Sequence, residues 1–536
     1  MATEDFAHLV QTIFSSPAQL GWKRIGLKHF HGIDLPLSAL RTRKSSGIGE
    51  FHDLLPMIDW AKSCGLNILQ LLPLNDSGSD PSPYNAVSST ALHPIYLSLH
   101  ALPYIDTLPE LRGRLSSFAV HNEAQRIPYI EILLHKLQWL REYFEAVGSR
   151  ILETTECRNF VEKHTWVTPY ALFKTLRKLF HHQSWLYWPE EIKRPTHAQY
   201  DDLLKTNEKE IAFQTFLQYL SFSQLKQIKT YAEKQGVLLF GDIPLLINSE
   251  SADVWAFPDQ FDLTYAAGAP PDYYNKEGQY WGFPLFRWNE IEKTKFDFWK
   301  QRLFFHAHFY DLYRIDHVLG FFRLWGIPRN RPVKEGSYFP PDEAKWEPMG
   351  RALLQMMLEN SQGMLPIAED LGVVPECVPR VLHDLSIPGT KVMRWERAWK
   401  TDRHFFHPKE YSPLSLTCVS THDTPTLALW WRDFSEEAQE YAASKGWPYS
   451  PELTKEMRFD ILKSSHHSGS LFHVNLLQEY LALFPELVWP DPAAERINVP
   501  GTLLPSNWLY RFRPWVEEIV AHEELKHAIQ QFVGEK

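Results

Sequence analysis

Three short apolar runs in the second half of this 536-residue chain each end in an acid: YRIDHV at 313–318, LPIAEDLG at 365–372 and CVSTHDTPT at 418–426. The acids Asp316, Glu369 and Asp423 are spaced by 53 and 54 residues, a distance that holds one or two strand-plus-helix units. Chains built in that way form α/β barrels, whose chemistry gathers at the C-terminal strand ends. Two carboxyl groups facing one glycosidic bond, with a third gripping the sugar hydroxyls, are the usual equipment of glycosyl chemistry. The pattern points to a sugar-processing barrel.

The rest of the chain fits that plan. GIDLPLSAL (32–40) leads through the loop RTRKSSGIGE to FHDLLPMIDWAKSCG (51–65), where Leu54, Ile58 and Ala61 recur at helical spacing and Pro56 suits a first turn. NILQLLPL (67–74) then reads as a strand, followed by the polar loop NDSGSDPSPYNAVSS (75–89). From about 100 to 230 the periodicity is helical, which reads as an inserted helical subdomain. Strand-like runs resume with GVLLFGDIPLLI (236–247), ahead of a stretch at 251–290 rich in Pro, Gly and Tyr. The expected division is a first barrel part at 20–99, a helical insertion at 100–230 and the remaining barrel at 231–536.

Period-2 alternation places Arg314 and Asp316 on one side of a strand, where the guanidinium favours an ionised carboxylate suited to a nucleophile. Glu369 ends an apolar strand, and burial near a charged Asp316 would raise its pKa, as a general acid needs. Its neighbour Asp370 could fill the same role, since spacing does not say which faces the cleft. Asp423 could accept hydrogen bonds from sugar hydroxyls, with His422 as a donor, while Thr424 and Thr426 suit helix capping.

Composition excludes other classes. Net charge is −10 and the 55 basic residues are scattered, which argues against a nucleic-acid partner. No run reaches the length of a membrane span, and MATEDFAHLVQTIF lacks a basic and then apolar leader. Cys64, Cys157, Cys377 and Cys418 are far apart and suit free thiols in a cytoplasmic setting. The pairs His181-His182 and His466-His467 have neither i, i+4 spacing nor carboxylate partners, so no metal or other cofactor is expected. GIG at 47–49 has no phosphate-loop lysine and gives nucleotide binding little support. Because 14% of the chain is aromatic, most rings belong to the core, and only those in polar loops beside the acids are read as sugar-binding.

Many segments together resemble glycoside hydrolase family 77, the 4-α-glucanotransferases also called amylomaltases or disproportionating enzymes. They are LPLSALR, GIG, SPYN, GDIPL, GAPPDYYNKEGQYWGFPLFRW, RIDHVLGFFRLWGIP, AEDLG, THD, and NVPGT with NW, in the family's order. The resemblance implies a (β/α)8 TIM barrel with inserted, largely helical subdomains and no C-terminal β-sandwich. It implies retaining transfer of α-1,4-glucan segments among maltooligosaccharides, with Asp316 as nucleophile, Glu369 as acid/base and Asp423 as transition-state stabiliser. Arg314 would hold the nucleophile, and His317 and His422 would contact sugar hydroxyls. Tyr84 would stack beside the donor sugar, and Asp242 would support the site. Tyr273, Tyr274 and Trp281 would belong to a loop within 251–290 that covers the acceptor side. THDTPT, WGFPL and RIDHV depart from the common THDNDT, WGNPL and RIDHF, which bears on donor and acceptor preference, above all at Phe283. A hydrolase using the same acids with water, or a glucan-binding protein without catalysis, are the rival readings.

Overall fold

A computed structural model describes residues 3–272 and 275–534. Its centre is eight parallel strands: β1 (Phe30–Leu35), β2 (Ile68–Leu71), β3 (Leu238–Ile243), β4 (Leu312–Ile315), β5 (Leu365–Ala368), β6 (Gly389–Val392), β7 (Ser415–Cys418) and β8 (Phe472–Leu476). They lie in the order β5-β4-β3-β2-β1-β8-β7-β6. The two ends of the sheet meet where Ala368 N donates to Pro388 O at 2.8 Å and Thr390 Oγ1 donates to Ala368 O at 2.8 Å. Sequential parallel strands closed in this way make the (β/α)8 barrel expected above. The strands are almost wholly buried because helices cover the outside and side chains fill the inside.

Helices α1 (Leu54–Ser63), α2 (Glu208–Gln235), α3 (Asp297–His306), α4 (Trp346–Asn360) and α5 (Cys377–Asp384) precede β2 to β6 in turn. Pro56 is the third residue of α1, within the first turn where its missing N–H costs nothing. The GIG turn ahead of α1 is structural. Gly47 has φ +87°, and a Cβ on Gly49 would fall 1.8 Å from the Leu37 carbonyl oxygen.

Between β2 and β3 the chain runs through Tyr129–Leu152, Thr155–Lys163, Val167–Leu179 and shorter helices before α2. α2 joins two cores. Phe213, Phe216, Leu217 and Leu220 pack with Trp139, Leu140, Tyr143 and Phe144, whereas Leu225, Ile228 and Ala232 belong to the main core around the barrel. The helix runs unbroken across residue 230 and ends at Gly236, whose φ of +74° supplies a left-handed cap.

The stretch at 251–290, expected as an irregular loop, is partly a small antiparallel sheet. Tyr265–Ala269 pairs with Gln279–Tyr280 and with Leu324–Pro328, which pairs in turn with Ser337–Phe339. Tyr265–Ala269 takes much of its pairing from Leu324–Pro328, about 60 residues away, which local pattern could not reveal, whereas Gln279–Tyr280 pairs only within the stretch. Tyr273 and Tyr274 lie outside the described residues.

Candidate active site

Every acid of the sequence-derived set stands at the C-terminal rim of the barrel. Asp242 is the last but one residue of β3, Asp316 follows β4, Glu369 follows β5, and Asp423 lies in the loop after β7. Arg314 sits among them because alternation along β4 turns its side chain inward with that of Asp316. Its Nη1 lies 2.8 Å from Asp316 Oδ1 and 2.7 Å from Asp242 Oδ2, and its Nη2 lies 3.6 Å from Glu369 Oε2. One planar guanidinium thus touches three carboxyl groups, a task its fork of donors suits.

Glu369 is held from a second side. His317 takes a left-handed conformation with φ +45°, which turns its backbone N–H onto Glu369 Oε2 at 2.7 Å. Such strain in a non-glycine residue costs on the order of 1 kcal/mol and tends to gather at functional sites. Burial pushes the Glu369 carboxyl up to about 8, and the charge of Asp316 adds to the rise that Arg314 opposes. Oε2 accepts both contacts, so the retained proton belongs on Oε1. The His317 ring is held neutral, pushed down to about 4 by burial. Asp370 faces the other way: Thr390 N donates to its Oδ1 at 2.8 Å, tying it to β6. Of the two adjacent acids, Glu369 is the one in the cleft.

Asp423 has the opposite protonation. Burial raises its pKa, but His422, Asn498 and Arg314 outweigh that and hold it at about 2. Asn498 Nδ2 donates to Oδ1 at 2.7 Å, His422 Nε2 lies 3.5 Å from Oδ2, and Arg496 Nη2 donates to the backbone oxygen at 3.0 Å. Burial opposes a charge on His422, yet Asp423 beside it raises the imidazole above its usual value.

Tyr84 covers this cluster. Its hydroxyl donates to Asp242 Oδ2 at 2.6 Å, and its ring stacks on His422 with centroids 5.3 Å apart. Trp508 packs against both rings, at 5.4 and 5.8 Å. The loop carrying Tyr84 is braced by Asn85 Nδ2 to Asp80 Oδ2 at 2.5 Å and by Asn248 Nδ2 to Asn85 Oδ1 at 2.6 Å. On the far side the Trp281 ring meets His317 edge-on at 4.9 Å. Thr426 caps the helix Leu427–Asp433 through the N–H of Leu429, as expected.

Sequence reasoning left several groups without a role. Asn498, Arg496 and Trp508 lie in or beside the NVPGT and NW segments and reach the site only through the fold. Asp34 lies near the end of β1, 7% exposed, and burial pushes its carboxyl up to about 7. In sequence it is a single acid inside an apolar run, with only its polarity there as a signal.

A (β/α)8 barrel carrying paired carboxyls of opposed protonation at its C-terminal rim, flanked by aromatic rings, is a carboxylate enzyme of the glycoside-processing class. A family model described as 4-alpha-glucanotransferase, glycoside hydrolase family 77, matches residues 35–517. The 4-alpha-glucanotransferase of Chlamydia pneumoniae is 41% identical over 520 residues, which are 97% of this chain and 98% of that protein. That of Chlamydia caviae is 42% identical over 523 residues, 97% of each. An amylomaltase from Streptococcus agalactiae, solved in complex with acarbose, shares the fold at a TM-score of 0.81 and 22% identity, covering 94% of this chain and 98% of its own. The chain belongs to the 4-alpha-glucanotransferase family, whose activity is the transfer of glucan segments.

Proposed function

We propose that the chain moves α-1,4-glucan segments from a donor maltooligosaccharide to the 4-hydroxyl of an acceptor glucose or glucan by retaining double displacement. Glu369 gives its proton to the glycosidic oxygen as Asp316 attacks the anomeric carbon. The C–O bond breaks, the reducing-end fragment leaves, and a glycosyl ester forms on Asp316. Glu369, now ionised, takes the proton of the acceptor 4-hydroxyl as that oxygen displaces Asp316. Asp423 and His422 hold sugar hydroxyls through the transition state, Tyr84 stacks beside the donor ring, and Arg314 with Asp242 fixes the nucleophile.

The observation that carries this reading is the guanidinium of Arg314, 2.8 Å from Asp316 and 3.6 Å from Glu369, with the Glu369 carboxyl raised to about 8. It sets a nucleophile paired with a guanidinium beside a protonated acid in one cleft. Transfer further requires the acceptor sugar to outcompete water. The segment 251–290, with Trp281 against His317 and with Tyr273 and Tyr274, is assigned that task, because an oriented hydroxyl gains a large effective concentration. The same proposal divides the chain into barrel (20–99 and 231–536) and helical insertion (100–230). It also places the protein in the cytoplasm, acting without metal, nucleic acid or membrane; no described helix is long and apolar enough to cross a bilayer.

Incubation with maltotriose tests the reading. Longer maltooligosaccharides together with glucose are the expected products, and glucose with maltose alone would mean hydrolysis. Asp316→Asn should abolish turnover while maltooligosaccharide binding persists; turnover at the wild-type rate would remove Asp316 from its role.

A further inference from the structure

Asp34 has no task in the reaction above, although the fold places it with the groups that do. β1 pairs with β2 so that Asp34 lies beside Gln70, and Gln70 lies beside Phe240 of β3. In this class of barrel a level layer climbs by about one residue per strand, which puts Asp34 level with Asp242. The same climb leads from Asp242 past Arg314 and Ile367 to Glu369. Alternate strands fill each interior layer, so Asp34, Asp242 and Glu369 project into one layer from β1, β3 and β5.

Two of these acids share an anomaly. Asp34 is 7% exposed and Asp242 is 1% exposed, and in each the Oδ1 atom is buried without a hydrogen-bond partner among the described residues. An unpartnered buried acceptor costs about 1–3 kcal/mol, and two ionised carboxylates at one buried place repel. A single proton between them relieves both costs. The other titratable or charged groups facing Asp34 are Arg314 from β4, Cys418 from β7 and His422 from the loop after β7.

We propose that Asp34 is a positioning residue of this site: its carboxyl shares one proton with that of Asp242, and this bridge fixes the orientation in which Asp242 grips Arg314 and Tyr84. Burial supports the retained proton, pushing Asp34 up to about 7 and raising Asp242 as well. Below that pH the bridge is intact; above it the proton leaves and Asp242 loosens. The kinetic consequence rests on the proposed double displacement, but the bridge itself does not.

Infrared difference spectroscopy on the unliganded enzyme, wild type minus D34N, tests the bridge apart from the reaction. A band of a protonated carboxyl in the difference, titrating near pH 7, is expected. A carboxylate band in its place, at all pH values, would overturn the proposal, whereas a D316N variant that kept turnover would overturn only the reaction scheme. If D34N does not fold, a pH titration of the E369Q variant decides the matter, because Glu369, held up to about 8, no longer contributes: a protonated-carboxyl band lost near pH 7 is expected, and its absence would overturn the proposal. Kinetically, the side-chain amide of the D34N variant can still donate to Asp242, and the hydrocarbon side chain of the D34L variant cannot. D34L should therefore fall about tenfold to a hundredfold below D34N in kcat with little change in KM. The alkaline limb of kcat should report loss of two protons in wild type and one, from Glu369, in D34N. Superimposed limbs would also refute the bridge.

Discussion

Replacing Glu369 with Gln should sharply reduce transfer and at the same time make the protein more stable, by an amount that grows with pH. In the folded chain the carboxyl is held at about 8, against an ordinary value of 4.5. Between those values the folded state keeps a proton that the unfolded chain has released, so stability falls as pH rises through this window. The penalty is absent near pH 4. At pH 7 the chain stands about 2.5 units above the ordinary value, and at about 1.4 kcal/mol per unit the cost is about 3 kcal/mol. Above the folded value it levels off near about 5 kcal/mol, by the same rule. Gln carries no charge, preserves the acceptor for His317 N–H, and removes the penalty. For a chain of this length about 1 kcal/mol moves the melting temperature by about 1 °C. The E369Q variant should therefore melt with wild type near pH 4, about 3 °C higher at pH 7 and about 5 °C higher at pH 9. Scanning calorimetry of both proteins at the three pH values is the assay, beside a loss of turnover of about 10²–10⁴-fold. A melting gap that is constant with pH, or that closes as pH rises, would refute the account of Glu369 as a buried, protonated acid.

Removing the Tyr84 hydroxyl as Tyr84→Phe deletes a 2.6 Å bond to Asp242; kcat/KM on maltotriose should fall about tenfold, and an unchanged value would show that the hydroxyl plays no part in fixing Asp242. Asn498→Ala frees Asp423 Oδ1 and lets its pKa rise from about 2, so activity should fail at a higher pH on the acid side, read from the pH profile of kcat/KM. Lys136→Met leaves Glu50 buried and unpaired, where the ion pair now spans 2.6 Å with both side chains almost fully covered. Denaturation should show a loss of about 3–5 kcal/mol, and a loss below about 1 kcal/mol would mean that Glu50 simply takes up a proton.

The barrel and its three acids were legible because each acid follows a short apolar run and the polar motif stands out against it. The strands that were not legible break that contrast. β8 (FHVNL) carries His473 and Asn475 in its interior, where Asn475 bonds Ser465 and Tyr480 and His473 bonds the Ser465 carbonyl. β6 (GTKV) has four residues, one of them Lys391, which turns to Glu396 at 3.2 Å. Asp34 escapes notice for the converse reason: one acid in an apolar strand resembles noise until the register sets it level with Asp242. Asn498 and Trp508 come from a segment that returns to the rim after β8, so only the closed fold brings them to Asp423 and Tyr84. Along α2 one helix serves two cores and keeps its apolar spacing through both, so helical periodicity carries no mark of where one core gives way to the other.

The division of labour among the acids follows from how unequally positive charge is shared among them. Arg314 interacts with Asp34, Asp242, Asp316, Glu369 and Asp423, while His422 and Arg496 add to Asp423 and Arg302 to Asp242 and Asp316, and a poorly solvated cleft does not hold all five carboxyls ionised. Protons must stay where donors are scarcest. Asp423 has Asn498 and His422, and Asp316 has the guanidinium at 2.8 Å. Glu369 has one backbone N–H and the same guanidinium at 3.6 Å. On the proposed double displacement the acid is chosen by position: Arg314 lies less than about 1 Å nearer to Asp316, the proposed nucleophile, than to Glu369, whose carboxyl burial raises. Lysine could not replace Arg314, because a point charge on a flexible stem cannot address both carboxyls and Asp242 from one plane.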